Sequence, residues 1–318
     1  MFMSTWKYKP SRAVSVRFLL DIIIWSAVGI PVIVLHLQGN PVEVGFFCDD
    51  NSLKYPYRES TISNQVLLGT SLGGVVTMLV LAEFLIYLDK RSRTNTSWPT
   101  AHVMKHLGVF LFGFTVNELF TIALKQRVGQ LRPHFFDVCK PDFNAINCSQ
   151  GFITEYTCMN THVSQREIRE SRLSFPSGHA SLSMYCAVYI GYYIQVHMSV
   201  TYSSVLKPVL QSVLVLLAVL NGLTRINDHK HHPIDVIAGF FFGAAIASFV
   251  FGTLGLKIQK TSKVTLDQKV SETFNAASET ARMSLKKKYL YQGEVSCDTT
   301  ISVLEEENAK ETPMDFVL

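Results

Sequence analysis

The sequence predicts an all-α integral membrane protein, a six-transmembrane helical bundle with both termini cytosolic. Three observations lead there. Of 318 residues, 48% are hydrophobic and only 17% charged, where a soluble domain carries about a quarter charged. The apolar residues cluster in six runs, Val14–Leu37, Val66–Leu88, Val103–Leu124, Ala180–Val196, Leu206–Leu223 and Ile234–Leu256. Each approaches or exceeds the roughly 17–25 helical residues needed to cross a bilayer core of about 30 Å. Finally, the basic residues between runs are distributed unevenly.

A soluble chain of this size could not cover six such runs, and a helix satisfies its own backbone hydrogen bonds in lipid. The first run is too long for the apolar stretch of a signal peptide and lacks a clear small-x-small cleavage site, so it reads as a retained span. Lys7, Lys9, Arg12 and Arg17 crowd its start, Lys90, Arg91 and Arg93 follow the second run, and Lys257, Lys260 and Lys263 follow the sixth. The first inter-span loop sets Glu43, Asp49, Asp50 and Glu59 against Lys54 and Arg58. Basic loops stay cytosolic, which fixes the orientation.

Parity then sends three polar segments to one non-cytosolic face. They are Lys125 to Pro133, Pro176-Ser177-Gly178-His179, and Arg225 to Asp235. Cys48, Cys139, Cys148 and Cys158 fall in predicted external loops, where an oxidising compartment permits pairing of unspecified connectivity. Cys186 falls in a span and Cys297 in the cytosolic tail. Asn147-Cys148-Ser149 is a glycan acceptor on the external side, whereas Asn95-Thr96-Ser97 falls on the cytosolic side.

Residues 1–256 read as one membrane domain with an external loop over 125–178. Residues 257–318 read as a polar, cytosolic, disordered tail with charge runs at Lys286–Lys288 and Glu305–Glu307. Its early lysines could also touch anionic inner-leaflet lipids. Gly69-x3-Gly73 and Gly239-x3-Gly243 offer small faces for helix packing within the chain.

The polar segments carry the chemistry. Lys125, Arg132 and Arg225 emerge at span ends. Any one alone reads as a headgroup-snorkelling cation. Three of them beside histidines on one face read as a phosphate grip, because arginine forks bind phosphate oxygens in pairs and lysine adds a mobile charge. Ser177 suits a helix N-cap. Gly178 permits close backbone approach, and helix N-terminal amides attract anions. On those four residues alone, a plain cap and a phosphate cradle fit equally. His231 and Asp235, four apart, share a helix face. A carboxylate on one ring nitrogen fixes the tautomer and frees the other for attack. A metal at His229, His231 and His232 is disfavoured, because adjacent side chains do not converge. Glu83 and Glu118, inside spans, read as structural partners.

The order Lys125-x6-Arg132-Pro133, Pro176-Ser177-Gly178-His179, Arg225-x5-His231-x3-Asp235 resembles the type 2 phosphatidic acid phosphatase superfamily. The Arg-Pro-His-Phe-Phe-Asp-Val-Cys run ending at Cys139 and the Asn147 sequon resemble its animal lipid phosphate phosphatases. Thr224 stands where that family often has serine, and it keeps the hydroxyl. The resemblance covers residues 10–256 and implies roles. Lys125, Arg132, Arg225, Ser177 and Gly178 would bind phosphate. His231 would attack phosphorus, Asp235 would orient it, and His179 would protonate the leaving alkoxide. The implied substrates are phosphatidate, lysophosphatidate, sphingosine 1-phosphate and ceramide 1-phosphate, cleaved at the extracellular or lumenal face. No metal, cofactor or nucleic-acid partner is implied, and homo-oligomerisation stays open. The plasma membrane is the expected location, with endoplasmic reticulum or Golgi as alternatives. The rival readings are a non-catalytic membrane scaffold or adhesion protein, and an enzyme acting on soluble sugar phosphates or transferring phosphocholine.

Overall fold

A computed structural model describes residues 12–93, 100–198, 203–258, 271–272 and 274–285. Lys7, Lys9, the Asn95 sequon, Lys260, Lys263, Cys297 and the Lys286–Lys288 and Glu305–Glu307 runs lie outside the described residues. The helices in order are α1 (Arg12–Gln38), α2 (Asn64–Arg93), α3 (Thr100–Val128), α4 (Phe135–Cys139), α5 (Gln165–Glu170), α6 (Gly178–His197), α7 (Leu206–Asn227) and α8 (Pro233–Val250). A π-helical turn, Phe251–Gly255, continues α8. Two short strands, β1 (Phe46–Phe47) and β2 (Phe152–Ile153), pair antiparallel.

Among the described residues, five helices are long and apolar enough to cross a membrane: Leu19–Gln38, Asn64–Ala82, Val103–Val128, Leu206–Asn227 and Pro233–Ile258. The fourth expected span, α6, has the length but not the apolarity. Its position explains why. It packs against α2, α3, α7 and α8, so most of its surface meets protein and need not be lipid-compatible. It carries Tyr185, Tyr189, Tyr192 and Tyr193. The Tyr185 hydroxyl donates to Phe110 O (2.7 Å) and that of Tyr189 to His106 O (2.9 Å), both on α3. A buried hydroxyl needs such an acceptor. By contrast, Val213, Leu217 and Leu220 on α7 stay exposed, as a lipid-facing surface requires.

The Gly239-x3-Gly243 pair packs within the chain, against α6. A Cβ built on Gly239 would stand 2.6 Å from Ser177 O, and one on Gly243 would stand 2.1 Å from Ser181 O. Only hydrogen fits there, so the two backbones touch. A Cβ on Gly69 or Gly73 meets nothing within 4 Å. The side chain of Glu83 lies outside the described residues, and Glu118 is half-buried on α3.

The loop between α3 and α6 is built rather than slack. Gly129, at φ 61°, closes α3 by donating its amide to Lys125 O (3.0 Å). Phe46, Leu53, Leu131, Phe135, Cys139 and Ile153 form a separate small core. Disulfides Cys48–Cys148 and Cys139–Cys158 lock it, using all four cysteines expected in external loops. Asn147 is exposed beside them, its Oδ1 accepting from Ser149 N (3.1 Å). The chain divides into two compact units at Ile258. In the second, the described residues between 271 and 285 are helical and exposed.

The close helix contact makes a prediction. Gly243→Ala should destabilise the protein by about 1–3 kcal/mol through overpacking, while Gly69→Ala should leave it unchanged or slightly firmer. Thermal unfolding of the two variants in detergent compares them directly; equal midpoints would refute the close-contact role.

Candidate active site

Four helix ends meet at one end of the bundle. Lys125 lies in the last turn of α3 and Arg225 in the last turn of α7, while Ser177 caps α6 and Asp235 lies in the first turn of α8. The α6 and α8 starts are tied by Ser177 N donating to Asp235 O (3.0 Å). The α7–α8 loop folds back on α7, so that the Lys230 and His231 amides both reach Arg225 O (3.0 and 3.3 Å). His229 makes that reversal at φ 56°, in the left-handed region.

Asp235 is fully buried. Its Oδ2 accepts from Ser174 Oγ (2.6 Å) and from His232 N (2.8 Å), which also caps α8. His231 Nδ1 stands 3.7 Å from the same oxygen and His232 Nδ1 3.4 Å. The His231 distance is electrostatic contact rather than a hydrogen bond. His231 itself is 4% exposed. Burial holds its pKa well below the ordinary imidazole value. Lys125 and Arg132 push it the same way, and Asp235 opposes them. His231 is therefore neutral at pH 7, and a proton on Nδ1, the nitrogen that faces Asp235, would leave the lone pair on Nε2.

The cations cluster around it. Lys125 Nζ donates to Leu173 O (2.9 Å) and Ser174 O (3.4 Å), and Arg132 Nη2 reaches Leu173 O (3.5 Å). Burial lowers the Arg132 pKa to about 10, so it stays charged. Arg225, 1% exposed, donates to Ile62 O (2.8 Å), Ser60 Oγ (3.2 Å) and Asp228 Oδ2 (2.8 Å). The buried Nε atoms of Arg132 and Arg225 have no protein acceptor among the described residues, which leaves donors for an anion. His179 Nε2 lies 3.0 Å from Ile62 O. A carbonyl only accepts, so this nitrogen carries the proton.

Ser177 is buried, with its hydroxyl 3.5 Å from Ala180 N as the α6 cap. A Cβ on Gly178 would lie 3.9 Å from Lys125 Cε, so the first-turn amides open beside that amine. Helix N-terminal amides lack intrahelical acceptors and favour anions. All eight expected catalytic and phosphate-binding residues thus come together. Asn147 belongs to the separate disulfide-locked core instead. Of the three adjacent histidines, His229 turns away, its Nδ1 facing Pro56 O (2.9 Å), while His231 and His232 both present Nδ1 to Asp235, and His232 also meets Gln130 (3.3 Å).

Sequence reasoning missed several participants. Ser174 holds Asp235, yet no motif marks it. The segment from Tyr55 to Ile62 straps the site. Tyr55 N donates to Pro133 O (3.1 Å), Arg58 to Asn227 O (3.1 Å), and Thr61 N and Oγ1 to Asp228 (2.9 and 2.6 Å). Asp228 lay inside a quoted motif, but its partnership with Arg225 appears only in three dimensions.

The arrangement gathers cations and two imidazoles at one end of the bundle, which suits phosphoryl transfer. The sequence pattern of the PAP2 superfamily matches residues 106–258. Phospholipid phosphatase 1 of Rattus norvegicus is 39% identical over 234 residues, covering 73% of this chain and 82% of that protein. Phospholipid phosphatase 2 of Mus musculus is 38% identical, covering 72% and 82%. Phospholipid phosphatase 2 of Homo sapiens is 37% identical, covering 72% and 80%. Among solved structures, a transmembrane PAP2 type phosphatidylglycerolphosphate phosphatase from Bacillus subtilis covers 74% of this chain and 92% of its own, at 18% identity and a TM-score of 0.34. With 37–39% identity to phospholipid phosphatases over most of its length, this chain belongs to the PAP2 superfamily, as an integral membrane protein of its lipid phosphate phosphatase branch.

Proposed function

We propose that the protein is a metal-independent lipid phosphate phosphohydrolase. It removes the phosphate monoester from phosphatidate, lysophosphatidate, sphingosine 1-phosphate or ceramide 1-phosphate through a phosphohistidine on His231. The observation that carries this reading is the gathering of a buried, neutral His231 with three cations and His179, whose Nε2 is held by Ile62 O, at one end of the bundle. Lys125, Arg132 and Arg225 offset the charge on the non-bridging oxygens, helped by the Gly178 amide and the helix start that Ser177 caps. His231 Nε2 attacks phosphorus, and the bond from phosphorus to the lipid oxygen breaks. His179, as the imidazolium with Nε2–H held by Ile62 O, gives its Nδ1 proton to the departing alkoxide. Water then attacks the phosphohistidine, losing its proton to His179, and inorganic phosphate leaves. Asp235 keeps the His231 ring oriented.

We also propose that α1, α2, α3, α6, α7 and α8 are six spans, with both termini and the 257–318 tail cytosolic. This places the site at the extracellular or lumenal face, at the plasma membrane ahead of endoplasmic reticulum or Golgi. The disulfides on the site side support that face, since such bonds persist in oxidising compartments. Asn147, exposed on the same external unit, is its glycan site.

Purified protein should release phosphate from phosphatidate at an undiminished rate in EDTA. His231→Ala should lower kcat at least about 1,000-fold and abolish an acid-labile, base-stable phosphoenzyme trapped by rapid quench. Unchanged turnover in that variant would exclude the nucleophile assignment.

The pH profile follows from the same burial. Protonating His231 removes the nucleophile, and its surroundings oppose protonation. The acid limb of kcat/KM should therefore lie below pH 6.5, after correction for the substrate's own second ionisation. Ser174→Ala, which frees Asp235, should cost about tenfold in kcat. A His231 limb at or above pH 6.5 would contradict this picture.

On the cell surface, lipid phosphate added outside should be hydrolysed by intact cells, and Asn147→Gln should erase a glycosidase-sensitive mass shift. A glycosidase-insensitive wild type would remove the glycan assignment.

A further inference from the structure

Lys230 lies between Arg225 and His231 yet holds none of the roles assigned above. Its residue is only 6% exposed. Its Nζ sits 3.6 Å from the centroid of the Tyr57 ring. Among the described residues it has neither an ion-pair nor a hydrogen-bond partner. The neighbouring carboxylate, Asp228, is taken by Arg225 and by both donors of Thr61.

The seat is rigid. Tyr57 N donates to Asp137 Oδ2 (2.8 Å), and its ring meets His134 edge-on at 5.3 Å. His134 is fixed in turn by Nδ1 donating to His229 O (2.6 Å), and burial lowers its pKa to about 3. A neutral imidazole thus backs the ring that carries the amine. Burial, then Arg132 and Arg225, pull the Lys230 pKa down to about 8, against Asp228 and Glu170. The two arginines of the phosphate grip therefore repel this amine.

A buried cation repelled by two guanidiniums, with no ion-pair partner among the described residues, is costly. An aromatic face offsets part of that cost. A phosphate carrying up to two negative charges would offset the rest. We propose that Lys230 is a fourth cation of the phosphate site, seated on the Tyr57 ring and engaging the monoester's oxygens alongside Arg132 and Arg225. This assignment rests on the phosphatase reading.

Steady-state kinetics on full-length protein in mixed micelles, with inorganic phosphate as competitive inhibitor, test it. Lys230→Met should raise both the KM for phosphatidate and the phosphate inhibition constant about tenfold. With binding lost equally from ground and transition states, kcat should stay within about threefold. Lys230→Arg, which keeps the charge, should recover most of the loss. Tyr57→Leu should shift the phosphate constant in the same direction, and Tyr57→Phe should not. An unchanged phosphate constant in a folded, active Lys230→Met protein would overturn the proposal, as would a loss confined to kcat. If the methionine variant does not fold, an unchanged constant in Tyr57→Leu overturns it instead. A wild type without phosphatase activity would defeat the underlying reading, a different outcome from an active wild type with a phosphate-insensitive Lys230.

Discussion

The site depends on the backbone contact between α6 and α8. Gly239 and Gly243 let α8 lie against Ser177 O and Ser181 O, closer than any side chain would allow. That proximity lets Ser177 N reach Asp235 O. It therefore fixes the start of α6, with His179, against the start of α8, with Asp235. In lipid, packing at such small-residue contacts holds helices together where the hydrophobic effect cannot. The same contact thus supplies cohesion and active-site geometry.

Electrostatics is arranged around that contact in layers. Three cations crowd a neutral imidazole, and the protein restrains them mainly with carbonyl oxygens: Leu173, Ser174 and Ile62. A carbonyl orients a cation without cancelling its charge, whereas a carboxylate would neutralise it. Asp228 is the exception, and it is confined to Arg225 and the Thr61 strap. The positive potential therefore remains available for an incoming anion, while Asp235 is held aside by Ser174 and His232.

Much of this was legible in the chain. Hydropathy marked the apolar runs because lipid selects composition directly. The ordered motifs marked residues that the fold brings together, because each motif falls at the end of an apolar run. What hydropathy could not deliver was the status of α6, since a helix wrapped by other helices answers to its protein neighbours. Nor could it deliver Ser174 or the carbonyl of Ile62. One is an unremarkable serine and the other a backbone atom, and each acquires its role from partners far away in sequence. Pairing of the four loop cysteines was likewise set by the small core around Phe46 and Phe135, which no local pattern encodes.

The tyrosine-rich surface of α6 also bears on how the chain is made. A segment with four phenols, a glutamine and histidines at both ends partitions poorly into lipid by itself. Its hydroxyl acceptors, Phe110 O and His106 O, belong to a helix synthesised earlier. The strongly apolar α7 and α8, which cover its other sides, emerge from the ribosome later. If α6 spans the membrane, its composition favours integration together with α7 and α8 rather than alone.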